Sequence, residues 1–435
     1  MNIGIDIRPL QGPHRMRGIG YVTYHTLRCL APLLKPEDTL VLYSQAEADI
    51  PAAKVIDDIG LVPDKITLRL VQTSRRPAKL LPGKLRIITK LLNRIVTLRE
   101  YKNGIEGYED PTDLDAFIQF DQSMPFPKLP SSTKKILVLY DLIPYVLESD
   151  YLWSYRTARQ KGLDLRGAVA CHLRRKAYLD KLKRVVKYAD KLIAISETTK
   201  GDFIEHLHIT PKKIDVVMLG VETPKTTQAS APTLVSYITT SWGPVKRSYT
   251  LDKNEPFLLF VGGADQRRKL DDLVGAFNQL RAQGIPLKLL LTGDTMKGPD
   301  SIPTASVKRA LLNSSYKNDI VFLGFVEDNT RDWLYQNAAT FVFPSLYEGF
   351  GLPVLEAMSY GTPVIAYDNK AVREVAGTIP FYARDLQGIV TAVREILSQP
   401  KTNKQQRTEQ SLLHVRQFTW QKTSENFMRI IKEQS

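Results

Sequence analysis

The chain has 435 residues, more than a single hydrophobic core usually organises, so two domains of roughly 200 residues each are expected. An apolar fraction of 43% without long low-complexity tracts excludes large-scale disorder. The only cysteines, Cys29 and Cys171, exclude a disulfide scaffold and a thiolate zinc cluster, and fit a reducing cytoplasm.

The formal charge of +14 leaves anionic lipid head groups, nucleotide diphosphates and nucleic acid as possible partners. No stacking-aromatic module accompanies the charge, so nucleic acid is not expected as a partner. The amino terminus has no basic region followed by an apolar one, and nowhere do about 18 apolar residues run together. The chain is therefore expected to be cytoplasmic, without a standard secretion signal or membrane span.

In chain order, Asn2 to Ile7 reads as a buried first strand that enters a loop, Arg8 to Gly20, rich in Gly, Pro and Arg. A helix is predicted from near Tyr21, with Val22, Leu27 and Leu30 at helical spacing. The stretch from Lys84 to Arg99 places Arg86, Lys90 and Arg94 on one helical face, with Leu85, Ile88, Leu91, Leu92, Ile95 and Val96 opposite. Such a helix could lie on an anionic membrane, or it could pack into a core with a cationic outer face. Ala116 to Phe120, Ile136 to Tyr140 and Lys191 to Ile195 are short apolar runs bounded by polar or turn residues, and predict strands. A second basic cluster runs from Arg174 to Lys187.

Two tempting patterns have plain readings. Asp113-Leu-Asp115 is too short a motif to imply a metal, and His206 and His208 do not share a helical face or an evident third ligand. No metal site is expected.

From Glu222 to Glu255 the composition shifts toward Ser, Thr, Pro and Lys, which reads as a connection with an inserted excursion. The expected organisation is a first domain over 1–221, a linker over 222–254, a second domain over 255–411, and a terminal helix over 412–435 that packs back on the first domain. Within the second domain, Phe257 to Gly262 predicts a strand, Leu270 to Leu280 an amphipathic helix, and four more strands end at Leu291, Leu323, Phe343 and Tyr367. Strands alternating with helices imply α/β domains with parallel sheets, whose ligands bind at the carboxyl ends of the strands.

Those strand ends carry the chemistry that a sugar nucleotide requires. Gly262-Gly263-Ala-Asp-Gln-Arg267-Arg268-Lys269 offers close backbone approach and fixed cations just before a helix, although a basic helix start could also be merely solvated. Arg17-Gly18-Ile-Gly20 is a second glycine loop, and it lacks the three spaced glycines of a dinucleotide fingerprint. In Glu348-Gly349-Phe350-Gly351-Leu352-Pro-Val-Leu-Glu356 the glycines allow a tight turn, the proline suits a helix start, and two carboxylates reach different parts of one ligand.

The run from Pro344 to Ile365 resembles the signature of the retaining glycosyltransferases of family 4, with two glutamates separated by seven residues. Val261 to Leu270, Leu291 to Asp294 and Val321 to Val326 match the same pattern in order. Ile3 to Leu10, Gly18 to Gly20, Tyr140 to Pro144 and Ile193 to Asp202 match it more loosely. The resemblance implies a GT-B fold of two facing Rossmann-like domains, with the donor in the second and the acceptor in the first.

It also implies transfer from a GDP- or UDP-linked sugar to a glycan or lipid-linked acceptor, with retention of anomeric configuration and no obligatory metal. Glu356 would then hold the nucleotide ribose, and Glu348 the transferred sugar with the amides around Gly349 to Leu352. Arg267 and Arg268 would meet the diphosphate, with Lys269 where asparagine is frequent. Gly324, Phe325 and Val326 would touch the base, and Gly18 and Gly20 would approach the diphosphate or sugar. Tyr140 stands where many relatives have histidine, which leaves Asp141 as the candidate for sugar or acceptor contact.

Overall fold

The computed structural model describes residues 1–12, 15, 18–45, 48–61, 66–71, 114–222, 224, 233–240, 243–251 and 255–434. The helix expected over 84–99 lies outside them, as do Arg17 and Asp113. The chain forms two compact units: Met1–Gly220 with Thr419–Ser435, and Val221–Phe418.

The first unit is built on a seven-stranded sheet in the order β3-β2-β1-β4-β5-β6-β7. Its strands are β1 (Asn2–Asp6), β2 (Thr39–Gln45), β3 (Ile66–Val71), β4 (Ala116–Gln119), β5 (Lys134–Leu139), β6 (Lys191–Ala194) and β7 (Ile214–Val216). Every strand pair in it is parallel. Ile3, Ile5, Phe117, Ile118, Leu137 and Val138 are fully buried, which fits strands covered on both faces by helices. The helix expected near Tyr21 begins at Ile19 and runs to Leu30. The terminal Trp420–Gln434 helix packs on it, with the Trp420 and His25 rings stacked at 4.9 Å and Ser424 donating to the Thr26 carbonyl at 3.0 Å.

The second unit has an eight-stranded sheet in the order β15-β14-β13-β10-β11-β12-β8-β9. The predicted strands are β10 (Phe257–Val261), β11 (Lys288–Thr292), β12 (Ile320–Gly324), β13 (Thr340–Phe343) and β14 (Val364–Tyr367), all paired in parallel, and β15 (Phe381–Ala383) extends them. Residues 222–254, read from composition as a connection, include a hairpin of β8 (Leu234–Thr240) and β9 (Gly243–Tyr249). The hairpin joins β12 in antiparallel fashion through Tyr237 opposite Phe322. β9 is the outer strand of the sheet, residues 244–248 of it are exposed, and the hairpin lacks the continuous apolar run of a strand covered on both faces.

The region read as one terminal helix over 412–435 divides. The Lys401–Val415 helix falls within the second unit, and the Trp420–Gln434 helix within the first. The predicted Leu270–Leu280 helix spans Leu270–Ala282, and its Leu270, Leu273, Val274, Phe277 and Leu280 are fully buried against the sheet. Their spacing of three and four residues makes one continuous apolar stripe.

Candidate functional site

In the second unit the carboxyl ends of neighbouring strands meet through backbone contacts. The Gly262 amide donates to the Thr292 carbonyl at 2.8 Å, and the Gly293 amide to the Gly324 carbonyl at 2.7 Å. Gly293 has φ +142°, and a Cβ there would strike the Gly262 carbonyl, so β10 and β11 can close to this separation only with glycine. Gly262 also has φ +142°, and a Cβ on it would occupy the place of the Arg268 guanidinium. Glycine at 262 therefore lets an arginine fold back over its own strand end.

The Gln266–Arg268 turn leads into the Leu270–Ala282 helix, with Lys269 at its start in a left-handed conformation, φ +40°. Arg267 is buried, and its Nη1 donates to Ser345 Oγ at 3.1 Å and to the Tyr347 carbonyl at 3.3 Å and pairs directly with Glu348 Oε1. Arg268 Nε lies 3.8 Å from the same carboxylate oxygen, with its guanidinium 5.9 Å from the Phe343 ring centre. Ser345 Oγ donates to Glu348 Oε1 at 2.8 Å, and Asn369 Nδ2 donates to the Ser345 carbonyl at 2.8 Å. Asn369 Oδ1 in turn caps the next helix through the Val372 amide at 3.0 Å. Glu348 is thus held between two arginines and a serine, a geometry fixed before any ligand arrives.

Lys269 Nζ lies 3.7 Å from Asp271 and 3.6 Å from Asp272, so the structure turns this candidate toward its own helix. Gly351, with φ +109°, precedes the Leu352–Ser359 helix, whereas Gly349 is absent from the positive-φ residues; one left-handed glycine suffices for the turn. Phe350 is buried and meets Phe418 edge-on at 6.3 Å, anchoring the loop. Leu352 and Val326 are half-buried, and Gly263 is likewise half-buried beside Gly262. Phe325, just past Gly324, is 55% exposed, and so offers an apolar ring at the strand end.

Glu356 sits one turn inside the helix, apart from the Arg267–Glu348 cluster in its bonding. It accepts from the Tyr335 hydroxyl at 2.9 Å. Desolvation pushes its carboxyl above the ordinary value, against the pull of Arg331 and the Tyr335 hydrogen bond. Tyr335, Arg331, Ser345 and Asn369 were not legible as site residues. Tyr335, Arg331 and Asn369 make their contacts across more than twenty positions or through the field of a neighbouring helix, and Ser345, inside the Pro344–Ile365 run, has no feature of its own that marks its bond to Glu348.

In the first unit, Gly18 has φ +54° and precedes the Ile19–Leu30 helix, and Gly20 is buried against the Arg15 backbone. Asp141 Oδ1 accepts from the Ile143 amide at 3.1 Å, and its carbonyl accepts from Gln122 Nε2 at 2.8 Å. Sequence missed a buried polar cluster at the ends of β1 and β4, where the strand order reverses, the position at which open α/β sheets bind ligands. Arg8 grips the fully buried Asp6 with two bonds of 2.8 and 2.7 Å. Burial pushes the Asp121 carboxyl up, against hydrogen bonds from the Ser123 amide at 2.7 Å and hydroxyl at 2.6 Å.

Tyr140 follows β5, and its buried hydroxyl has no hydrogen-bond partner. Burial, with the nearby Asp121 charge, drives its pKa well above the ordinary value, so it stays protonated. An unpaired buried hydroxyl costs about 1–3 kcal/mol. Tyr140→Phe should therefore hold or raise the melting temperature in thermal denaturation; a drop of several degrees would mean that the hydroxyl has a partner.

Asp115 Oδ2 accepts from the Asn2 amide at 2.7 Å, a structural role for one half of the Asp-x-Asp pattern. His206 packs against the Tyr145 ring at 5.2 Å. Among the described residues no group of three or more His, Cys, Asp or Glu could hold a metal ion, and no helix is long and apolar enough to cross a membrane.

Two α/β units, each with a largely parallel sheet, and an arginine-glutamate loop at the strand ends of the second define a two-domain protein of the GT-B class. The structure of Anabaena HepE in complex with UDP-glucose shares this fold, with a TM-score of 0.61 at 13% identity over 100% of both chains. Residues 244–411 match the family described as glycosyl transferases group 1. Among curated proteins the chain is similar to O-antigen chain mannosyltransferase B of Escherichia coli, 26% identical over 56% of this chain and 61% of that protein. It is also similar to the serotype-specific mannosyltransferase WbdA of Escherichia coli, 25% identical over 75% of this chain and 36% of that protein. The chain thus spans less than two thirds of the length of either relative.

Proposed function

We propose that the protein transfers a sugar from a nucleotide diphosphate sugar to a glycan or lipid-linked acceptor, in the assembly of a surface polysaccharide. The observation that carries the reading is the Arg267–Glu348 pair with Arg268 beside it, at the strand ends of the unit that matches the family. A carboxylate so held can accept hydrogen bonds from sugar hydroxyls, and the adjacent guanidinium can meet a diphosphate oxygen in two-pronged fashion. The similarity to O-antigen mannosyltransferases favours mannose as the sugar, and the fold shared with a UDP-glucose complex is compatible with a uridine donor.

In this reading Glu356 binds the ribose, Gly324 to Val326 lie along the base, and the amides of Gly349 to Leu352 approach the sugar. Gly262 and Gly263 let the diphosphate come close. In the first unit, Gly18 and Gly20 are assigned to the diphosphate or sugar, and Asp141 to the sugar or acceptor. Transfer proceeds with retention, and the leaving diphosphate accepts the proton of the acceptor hydroxyl, so that no strong protein base and no metal is required. The catalytic demand on the protein is positioning and stabilisation of the departing negative charge. The reading places the protein in the cytoplasm, where nucleotide sugars are available.

A panel of GDP- and UDP-sugars, scored by hydrolysis and by thermal stabilisation, tests the proposal. At least one should raise the melting temperature and turn over slowly without acceptor. A complete lack of response to every donor would sink it.

A further inference from the structure

The Leu165–Tyr188 helix buries one face through Ala168, Leu182, Val185 and Val186. On the opposite arc, Leu165 is 61% exposed and Val169 and Leu173 are each 43% exposed. Residues 165, 169 and 173 are spaced by four, so they form a single ridge along the first half of the helix. Three bulky aliphatic side chains in line on an otherwise polar helix are unusual on a water-facing surface.

The charge around this ridge is one-sided. Between Leu165 and Tyr188 there are eight lysines and arginines against the single acid Asp180. Arg166 and Lys176 border the ridge and are exposed, Arg174 is exposed farther round the helix, and Lys183 and Lys187, with the half-buried Asp180 among them, continue the same arc toward the end of the helix. The Tyr155–Gln160 helix packs alongside, adding the 40% exposed Tyr155 and exposed Arg156 and Arg159. Just after it, Lys161 lies over the ring of Trp153, which precedes the helix, at 4.8 Å. Aliphatic side chains to insert, aromatic rings at the border and a basic surround are the combination by which a helix lies in the plane of an anionic bilayer.

We propose that this face docks the protein on an anionic lipid surface, with Leu165, Val169 and Leu173 entering the acyl boundary and the surrounding cations meeting the head groups. Charge complementarity selects the lipid: a neutral bilayer offers the ridge a place but leaves the cations uncompensated. Nucleic acid fits less well, because the centre of the patch is aliphatic and phosphate contacts give such side chains nothing to bind. The inference is independent of the transfer reading and would stand for an acceptor of any kind.

Sedimentation of the full chain with vesicles of phosphatidylcholine plus phosphatidylglycerol, against phosphatidylcholine alone, provides the test. The wild-type chain should sediment with the anionic vesicles and not with the neutral ones, and lose binding as salt is raised. The double variant Leu165→Ser/Leu173→Ser and the triple variant Arg166→Glu/Arg174→Glu/Lys176→Glu should each keep the wild-type melting temperature. The charge variant should lower partitioning by about a hundredfold or more, from about 1 kcal/mol for each of the three cations.

Unchanged sedimentation of both variants would overturn the proposal. So would a fall of several degrees in the melting temperature of the serine variant, which would mean that another part of this chain covers the ridge. Loss of a dimer in the serine variant would assign the face to a second copy. Retention by single-stranded DNA with no vesicle binding would assign it to nucleic acid.

Discussion

Arg268→Ala is expected to lower kcat/KM by about two to three orders of magnitude while the melting temperature stays near wild type, as for removal of a fixed charge from a developing anion. The guanidinium is held over its own strand end where Gly262 leaves room for it, and its Nε lies 3.8 Å from Glu348, without the direct pairing that Arg267 makes. Arg268→Lys should restore part of the rate, because a point charge replaces the two-pronged contact.

Arg267→Ala should separate from this in a second readout. The Arg267 guanidinium is buried and engages Ser345, the Tyr347 carbonyl and Glu348 at once. Its loss removes the direct ion partner of the Glu348 carboxylate and leaves it Ser345 and the more distant Arg268, and breaking a buried pair costs about 3–5 kcal/mol of stability. Steady-state kinetics and thermal melts on the two variants therefore assign the roles. On the proposed reading Arg268 should act on the substrate, and Arg267 should serve as a positioning residue for Glu348. A melting temperature for Arg267→Ala equal to that for Arg268→Ala would refute the division.

Glu356→Gln should weaken nucleotide binding by about a hundredfold, the loss of charge-assisted hydrogen bonds to two ribose hydroxyls. The pH dependence gives this variant two signatures of opposite sign. Desolvation raises the Glu356 pKa in the folded protein, so this carboxyl contributes stability that is fully present below its unfolded value and is lost as pH rises through the folded one. Across that window the wild type should lose stability relative to Glu356→Gln, and level off above it. Nucleotide affinity runs the other way: the acceptor form is the carboxylate, so wild-type affinity should fall as pH drops through the raised value, and that of the variant should not. Calorimetric titration of the free nucleoside diphosphate across pH measures the second signature and thermal melts the first. A flat affinity profile in the wild type would remove Glu356 from the ribose.

Much of this was present in the order of residues. The strands ending at Val261, Thr292, Gly324, Phe343 and Tyr367 are runs of apolar residues closed by glycine, proline or polar residues. A strand buried on both faces must be apolar throughout, which makes this signal local and strong. The loop holding Glu348 and Glu356 was equally visible, because its glycines, its proline and the helix start lie within nine positions. The hairpin Leu234–Tyr249 was not, since its outer strand is exposed over 244–248 and its composition resembles that of a loop. Nor could Thr39–Gln45 and Ile66–Val71 be assigned from pattern with the same ease, although both complete the first sheet.

The sequence by itself determined the class of fold, the segment that resembles a glycosyltransferase signature and which loop bears the two carboxylates, because each depends on neighbours in the chain. Only the tertiary structure decided what those residues do to one another. Arg267 meets Ser345 and Glu348 across about eighty positions, Glu356 meets Tyr335 on a different helix, and Tyr140 loses every partner for its hydroxyl within the first unit. Pairing, desolvation and an unpaired hydroxyl are properties of the packed interior. They arise when strands distant in sequence bring their ends together and exclude water, and no spacing along the chain records them.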